Sequence, residues 1–497
     1  MKTNYLFSIC VAVMLGFTSC ERYLDINQDP NSPAQENVTS DMILSAVEMN
    51  IAATYAYNMH ILGAYNVQYY AQQFGTPNYL KYSQFEVSAS NSSGIYTQLF
   101  QRALGNINSI KNKALATGSN GVMLQAVVLR AYTYQLLVDA FGEVPYTQAF
   151  DPNIMAPKYD DGQVIYEGIL KELDDALAQV KEGDEVVSSF IYPDRSLKDW
   201  IMFANALKLK LLTRMSGVKD VSADIKKIID ANELPSGDVQ IAGCWTDAPG
   251  QANPMYSENT ASWGVVRDNI IANVALINTM SQPSYKDPRL AAWYVQNAEG
   301  NFQGGISGTN FSTADEKYAT KAAWSIPAIT YDMPVILLAR TEVDFFIAEY
   351  YARQGNAAAA EAAYKAAVTA SFASAGVTGA DENIAKFPYN QASWQESIGL
   401  AKWIALAGVN GFEGYTEARR LKYPAFGAVK GADMYAGKGD VNLSLYQPNK
   451  LYTPFKRFDQ VGDNHLLARF PYPESSTARN SNSPAFPGYL IPVFWGK

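Results

Sequence analysis

The chain is 497 residues long, 48% hydrophobic, 18% charged and 12% aromatic, which excludes disorder and collagen-like repetition and supplies ample material for a core. Its 39 Lys and Arg against 48 Asp and Glu leave a formal charge of −9, and the isoelectric point near 5.0 argues against a surface that tracks nucleic-acid phosphates. Nucleic acid is not an expected partner.

Lys2 is the only charge in the first twenty residues, and an apolar run from Tyr5 to Phe17 follows it, the layout of an export signal too short to span a bilayer comfortably. The run ends in Phe17-Thr18-Ser19-Cys20, which resembles a bacterial lipoprotein signal, where cleavage precedes a cysteine whose new N-terminus becomes lipid-modified. Phe17 stands where Leu is usual, and an ordinary secretory signal cut nearby is the alternative. On the lipoprotein reading residues 1–19 are the signal, Cys20 is the lipidation site, 20–39 form a lipidated tether broken by Pro30 and Pro33, and 40–497 form one helical body. Cys10 departs with the signal, so acylation of Cys20 leaves Cys244 without a disulfide partner. No later stretch approaches eighteen uninterrupted apolar residues, so lipid is the expected membrane attachment. Asp25, Asn27, Asp29 and Glu36 match positions of a calcium loop, but Pro30 occupies the place of its turn glycine, and no calcium is expected there.

From Asp41 the period is helical. Met42, Ala46, Met49, Ala53 and Ala56 form one apolar stripe, and Ile165, Ile169, Leu173, Leu177 and Val180 form another. Further helical segments are predicted from Ile95 to Ala116, Val122 to Phe141, Leu197 to Met215, Asn269 to Met280 and Glu342 to Arg353, most bounded by Gly, Pro, Asn or Asp. Strand-like alternation is rare. The expected fold is mainly α, a tetratricopeptide-like helical scaffold with long irregular loop insertions carrying the ligand face.

The segment from Ala348 to Asn356, followed by Ala360, Ala363, Tyr364 and Ala367, resembles a tetratricopeptide repeat, in which small residues let two helices approach closely; Ala363 is expected at that contact. Helix pairs at Leu124 to Val180 and Leu197 to Ile229 are degenerate candidates for further copies. Two aromatic stretches rich in Asn, Gly and Ser interrupt the helices, one from Tyr65 to Ser93 and one from Cys244 to Phe311. They should converge on one rim. Trp263, flanked by Ser262 and Gly264, and Tyr79 are the first candidates for stacking platforms, with Tyr82, Tyr256 and Trp245 beside them and Asn78 and Asn259 as hydrogen-bonding groups.

With only His60 and His465 and one cysteine beyond the first twenty residues, no familiar zinc spacing can be assembled, and each His reads as a packing or surface residue. No nucleophile elbow, Walker loop or dinucleotide fingerprint is present; Gly304-Gly305-Ile306-Ser307-Gly308 has the wrong offsets for a serine hydrolase and reads as a flexible turn. No cofactor or metal is expected. A carboxylate pair for glycoside cleavage stays open because Asp and Glu are plentiful, but nothing singles one out.

Taken in order, Tyr23 to Pro33 after the cysteine, Leu137-Val138-Asp139-Ala140-Phe141-Gly142-Glu143-Val144-Pro145-Tyr146, Trp200 to Leu211, the repeat around Ala348, Glu417-Ala418-Arg419-Arg420-Leu421-Lys422-Tyr423-Pro424 and Arg469-Phe470-Pro471-Tyr472-Pro473 resemble the SusD/RagB-like nutrient-binding outer-membrane lipoproteins, in their SusD-like branch. The resemblance implies a binding protein and no enzyme. It implies an outer-membrane, lipid-anchored, surface-facing chain that captures oligosaccharide or peptide for a SusC-like TonB-dependent transporter. The motifs read as architectural: Gly142 and Pro145 end a helix, and Arg419 and Arg420 are expected to pair with buried acids. The runner-up is a helical interaction scaffold that binds no small ligand, and the third reading is a surface glycosidase.

Overall fold

The computed structural model describes residues 38–72, 78–259, 270–310, 317–437 and 440–496. The signal, Cys20, the tether with its calcium-like loop, and Trp263 lie outside the described residues, as does the side chain of Asn259.

Helix α1 (Ser40–Ala53) runs through a π-helical turn, Thr54–Met59, into α2 (His60–Asn66). Its inward face is Ile43, Leu44, Val47 and Ile51, continued by Tyr55 in the π-helical turn, whereas Met42, on the predicted stripe, is 50% exposed. The larger branched and aromatic side chains remove more apolar area from water than Met and Ala, so they set the rotation of the helix. Helix α3 (Gly105–Thr117) continues a second π-helical stretch, Thr97–Leu104, and packs on α4 (Asn120–Phe141). Helix α4 is long and apolar enough to cross a membrane, yet it is buried along nearly its whole length by its neighbours. It ends at Gly142, whose φ of +89° a side-chain-bearing residue would adopt only with strain. Helix α5 (Gly162–Gln179) is capped by the Asp161 carboxylate on Gln163 N and buries Ile165, Ile169 and Leu173, as its stripe predicts. Helix α6 (Leu197–Met215) has the predicted limits and starts at the Ser196 cap.

Strands are short and paired in twos: β1 (Tyr70–Gln72) with β3 (Ile270–Ala272), and β2 (Val239–Ile241) with β4 (Val335–Leu338), both antiparallel. Strand β3 opens the segment predicted as helix from Asn269, with helix following only at Val274–Met280. Helix α7 (Pro254–Asn259) is a short piece of the second loop stretch.

The last helices are α8 (Arg340–Arg353), α9 (Ala357–Ser374), α10 (Trp394–Ala407) and α11 (Gly411–Leu421). Helices α8 and α9 form the tetratricopeptide-like pair. Thr341 Oγ1 donates to Ala367 O at 2.8 Å and the Phe345 and Tyr364 rings lie 6.1 Å apart, so the two run antiparallel. Ala348, Ala352, Ala360 and Ala367 are the buried small residues of this contact; Ala363 is only half-buried, one helical position off the seam. The degenerate pairs are present as α4 against α5 and α6 against Ser222–Ala231.

Where α4, α6, α8, α10 and α11 meet, the core holds charge. Lys210, Arg214, Lys402 and Arg420 interleave with Asp139, Glu342, Glu349, Glu413 and Glu417, all with buried side chains. Burial opposes ionisation of Glu417, but Arg420, Lys402 and Arg214 together hold its carboxyl well below the usual range. Arg420 meets Glu349 with two bonds of 2.6 Å, as expected of an arginine paired with a buried acid. Arg419 does not follow that expectation. Its guanidinium donates to the carbonyls of Ala468 and Asp139 at 2.6 and 2.8 Å, tying α11 to the end of α4.

Candidate functional site

The two aromatic stretches meet through β1 and β3, in register Tyr70 with Ala272 and Gln72 with Ile270. Asn273 secures the junction. Its Nδ2 donates to Tyr70 O at 3.1 Å and to Ser307 Oγ at 2.8 Å, and its Oδ1 accepts from the Tyr452 hydroxyl at 3.0 Å. Gly304 and Gly305 are close approaches to this junction, not a flexible turn. A Cβ at Gly304 would lie 2.3 Å from the Asn273 carbonyl carbon, and one at Gly305 would lie 2.5 Å from Ile271 Cδ1.

On this junction sits a cluster of tyrosines. Gln72 Oε1 accepts from Tyr79 N at 2.9 Å and holds the Tyr79 to Ser83 segment against β1. The Tyr79 and Tyr82 rings stack at 5.9 Å with planes 25° apart, and Tyr65 approaches both from below at 5.8 and 6.5 Å. Tyr57, presented by the π-helical turn after α1, shares a 2.8 Å hydroxyl contact with Tyr79. Burial raises all three rim phenols, Tyr82 to about 12, and the Glu258 carboxylate on α7 pushes Tyr57 and Tyr79 in the same direction. The hydroxyls therefore stay protonated across the physiological range. The result, among the described residues, is a neutral surface of ring faces and hydroxyls with the Glu258 carboxylate beside it.

Asn78 is exposed next to this cluster, Tyr82 and Tyr256 are half-buried, and Tyr256 meets the edge of Tyr331 at 6.2 Å. Tyr79, in the cluster, is 7% exposed, more wall than platform; Trp245 is 8% exposed, makes no ring contact with the cluster among the described residues, and its indole N–H is buried without an acceptor among them. Tyr57 and Glu258 belong to this face and were not among the predicted residues. Tyr57 lies in a helical stretch, where spacing alone assigns an aromatic to packing.

Behind the tyrosines is a cavity of about 250 Å³ whose lining includes Ala56, His60, Tyr70, Met255 and Trp293. Gly411 N–H donates to His60 Nδ1 at 3.0 Å, so the ring proton is on Nε2, 2.9 Å from the Tyr70 hydroxyl. Burial lowers His60 to about 4, which keeps the ring neutral. His60 is thus a hydrogen-bonded packing residue, and the Tyr70 hydroxyl hydrogen is left to point away from it.

The sequence matches the family model described as SusD-like, starch-binding associating with outer membrane, over residues 30–443, and the chain belongs to that family. Solved structures of the same fold include a SusD homologue from Bacteroides uniformis (TM-score 0.71, 20% identity, 92% of this chain and 100% of that one). A chitin-binding SusD homologue from Flavobacterium johnsoniae matches with TM-score 0.71 and 20% identity over 92% of this chain and 98% of that one. A SusD/RagB family protein from Bacteroides thetaiotaomicron matches with TM-score 0.72 and 21% identity over 93% and 99% of the two chains. None of the curated proteins matches this sequence.

Proposed function

We propose that this chain is a glycan-binding lipoprotein of the outer membrane, held at the cell surface by acylated Cys20, which captures an oligosaccharide and delivers it to a SusC-like TonB-dependent transporter. The carrying observation is the neutral tyrosine face. Ring faces stack on the apolar face of a sugar, while phenol hydroxyls and the Asn78 amide exchange hydrogen bonds with its hydroxyls at no cost in buried charge. The family's description as starch-binding and outer-membrane-associated supports this reading, as does a chitin-binding neighbour of the same fold. A charged peptide suits a face with so few ionised groups among the described residues less well. In this reading Trp263, Tyr82 and Tyr256 supply ring contacts, Tyr79, Tyr57 and Trp245 shape the wall, and Asn78 and Asn259 supply amides. The chain binds and does not cleave.

Calorimetric titration with malto- and chito-oligosaccharides tests the proposal. Tyr82→Ala and Trp263→Ala should each weaken binding about tenfold or more, roughly 1.4 kcal/mol, with little change in melting temperature. Release of shorter sugars by the purified chain, or no affinity for any glycan tried, would overturn it.

A further inference from the structure

Apart from the tyrosine face, the end of α11 and the C-terminal segment enclose a cleft of about 480 Å³, within the range of small-molecule sites. Phe426, Leu490 and Trp495 contribute to its largely apolar walls, and Leu490 remains 42% exposed. Among the described residues the ionisable groups lining it are Arg419, Lys422 and His465, with no Asp or Glu.

Arg419 is 7% exposed, and every partner of its guanidinium is neutral: the two carbonyls already named, the Thr416 hydroxyl at 3.2 Å, and the ring faces of Tyr415 and Trp495 at 4.0 and 4.9 Å. Its Nε is buried with no acceptor among the described residues. The Asp139 carboxylate is already shared among Arg214, Gln135, Tyr166 and Trp495. Lys422, at the exposed end of α11, uses one ammonium hydrogen on Gly496 O at 3.1 Å and makes no carboxylate pair among the described residues. Burial weakens proton binding by both cations, and Arg419 weakens it further at Lys422. The carbonyl end of α11 carries only about half a negative charge against two full positive ones, so the cleft is left net positive.

We propose that this cleft binds a small amphipathic carboxylate, with its apolar body against Trp495, Phe426 and Leu490 and its anion on Lys422 above Arg419. The free hydrogens of the Lys422 ammonium supply the contact, and Arg419 acts through its charge. One reachable donor in an apolar cleft suits a singly charged carboxylate better than a phosphate dianion.

The probe pair is 2-naphthoate and uncharged 2-naphthylmethanol, titrated calorimetrically into the full chain at low salt. The acid should bind at least tenfold tighter than the alcohol, and high salt should shrink the difference. Lys422→Gln should remove the preference while leaving the melting temperature and glycan binding unchanged. Leu490→Trp, at an exposed position, or Ala425→Trp should block both probes. Equal affinity for acid and alcohol, or undiminished binding in both filled variants, would overturn the proposal.

Discussion

Glu48 offers the sharpest test of the packing. It lies on the inward face of α1 at 1% exposure; Phe190 N donates to its Oε2 at 2.6 Å, and its Oε1 is buried with no partner among the described residues. No cation pairs with it among the described residues, and burial raises its carboxyl from 4.5 to about 7 despite the hydrogen bonds from Phe190, Ser189 and Ile191. Because the folded value exceeds the unfolded one, the native state binds the proton more tightly. Its contribution is fully present below about pH 4.5 and is lost as pH rises through about 7. A displacement of that size corresponds to about 3 kcal/mol. Glu48→Gln keeps the acceptor for Phe190 and cannot ionise. The variant should match the parent within about 1 kcal/mol at pH 5 and exceed it by roughly 1 to 3 kcal/mol at pH 8, the unpartnered amide hydrogens taking back part of the gain. In urea, with a slope of about 3 kcal/mol/M or more for a chain this long, the pH 8 midpoint should rise by as much as about 1 M. A parent-to-variant difference that stays constant from pH 5 to pH 8 would refute the reasoning.

Other outcomes follow from named contacts. Arg420→Ala should cost about 3 to 5 kcal/mol in urea melts, because it takes from buried Glu349 its two-bond partner, leaving only Arg353 on Oε1, and removes one of the cations on Glu417 inside the core. Ala367→Leu should cost about 1 to 3 kcal/mol by overpacking the α8–α9 seam, whereas Ala363→Leu, half-buried, should cost less than half as much; reversed costs would contradict the seam assignment. Cys20→Ala should move the protein from the membrane fraction to the soluble fraction in a strain without a SusC-like partner, because acyl chains are worth about 0.8 kcal/mol per buried methylene.

Much of the scaffold was legible because long helices carry redundant signals. For α6 the Ser196 cap and the apolar spacing both point to the observed limits. The rotation of α1 was less legible, since its stretch carries apolar residues on adjacent faces and only the packed partners reveal which face is worth more. Segments with few local signals were also missed: β3 is three residues long and exists through its pairing with β1, a contact about 200 positions away in sequence. Gly304 and Gly305 illustrate the same limit. A glycine pair reads alike whether it supplies flexibility or clearance, and the Asn273 backbone pressed against it decides for clearance.

Arg419 and Arg420 make the argument at single-residue resolution. They are chemically identical neighbours, but successive residues on a helix point about 100° apart, and that turn gives them opposite surroundings. Arg420 faces the carboxylates of α8 and α11 and becomes one of the ties of a charged core. Arg419 faces the carbonyls that end α4 and the face of Trp495, so its charge is hydrogen-bonded without being neutralised. A core that supplied a carboxylate for Arg419 would abolish the positive cleft beside Lys422 while leaving the helical scaffold in place. The excess charge is thus a property of that one helix face, separable from the fold, just as the neutral phenols of the tyrosine face are separable from the helices that carry them.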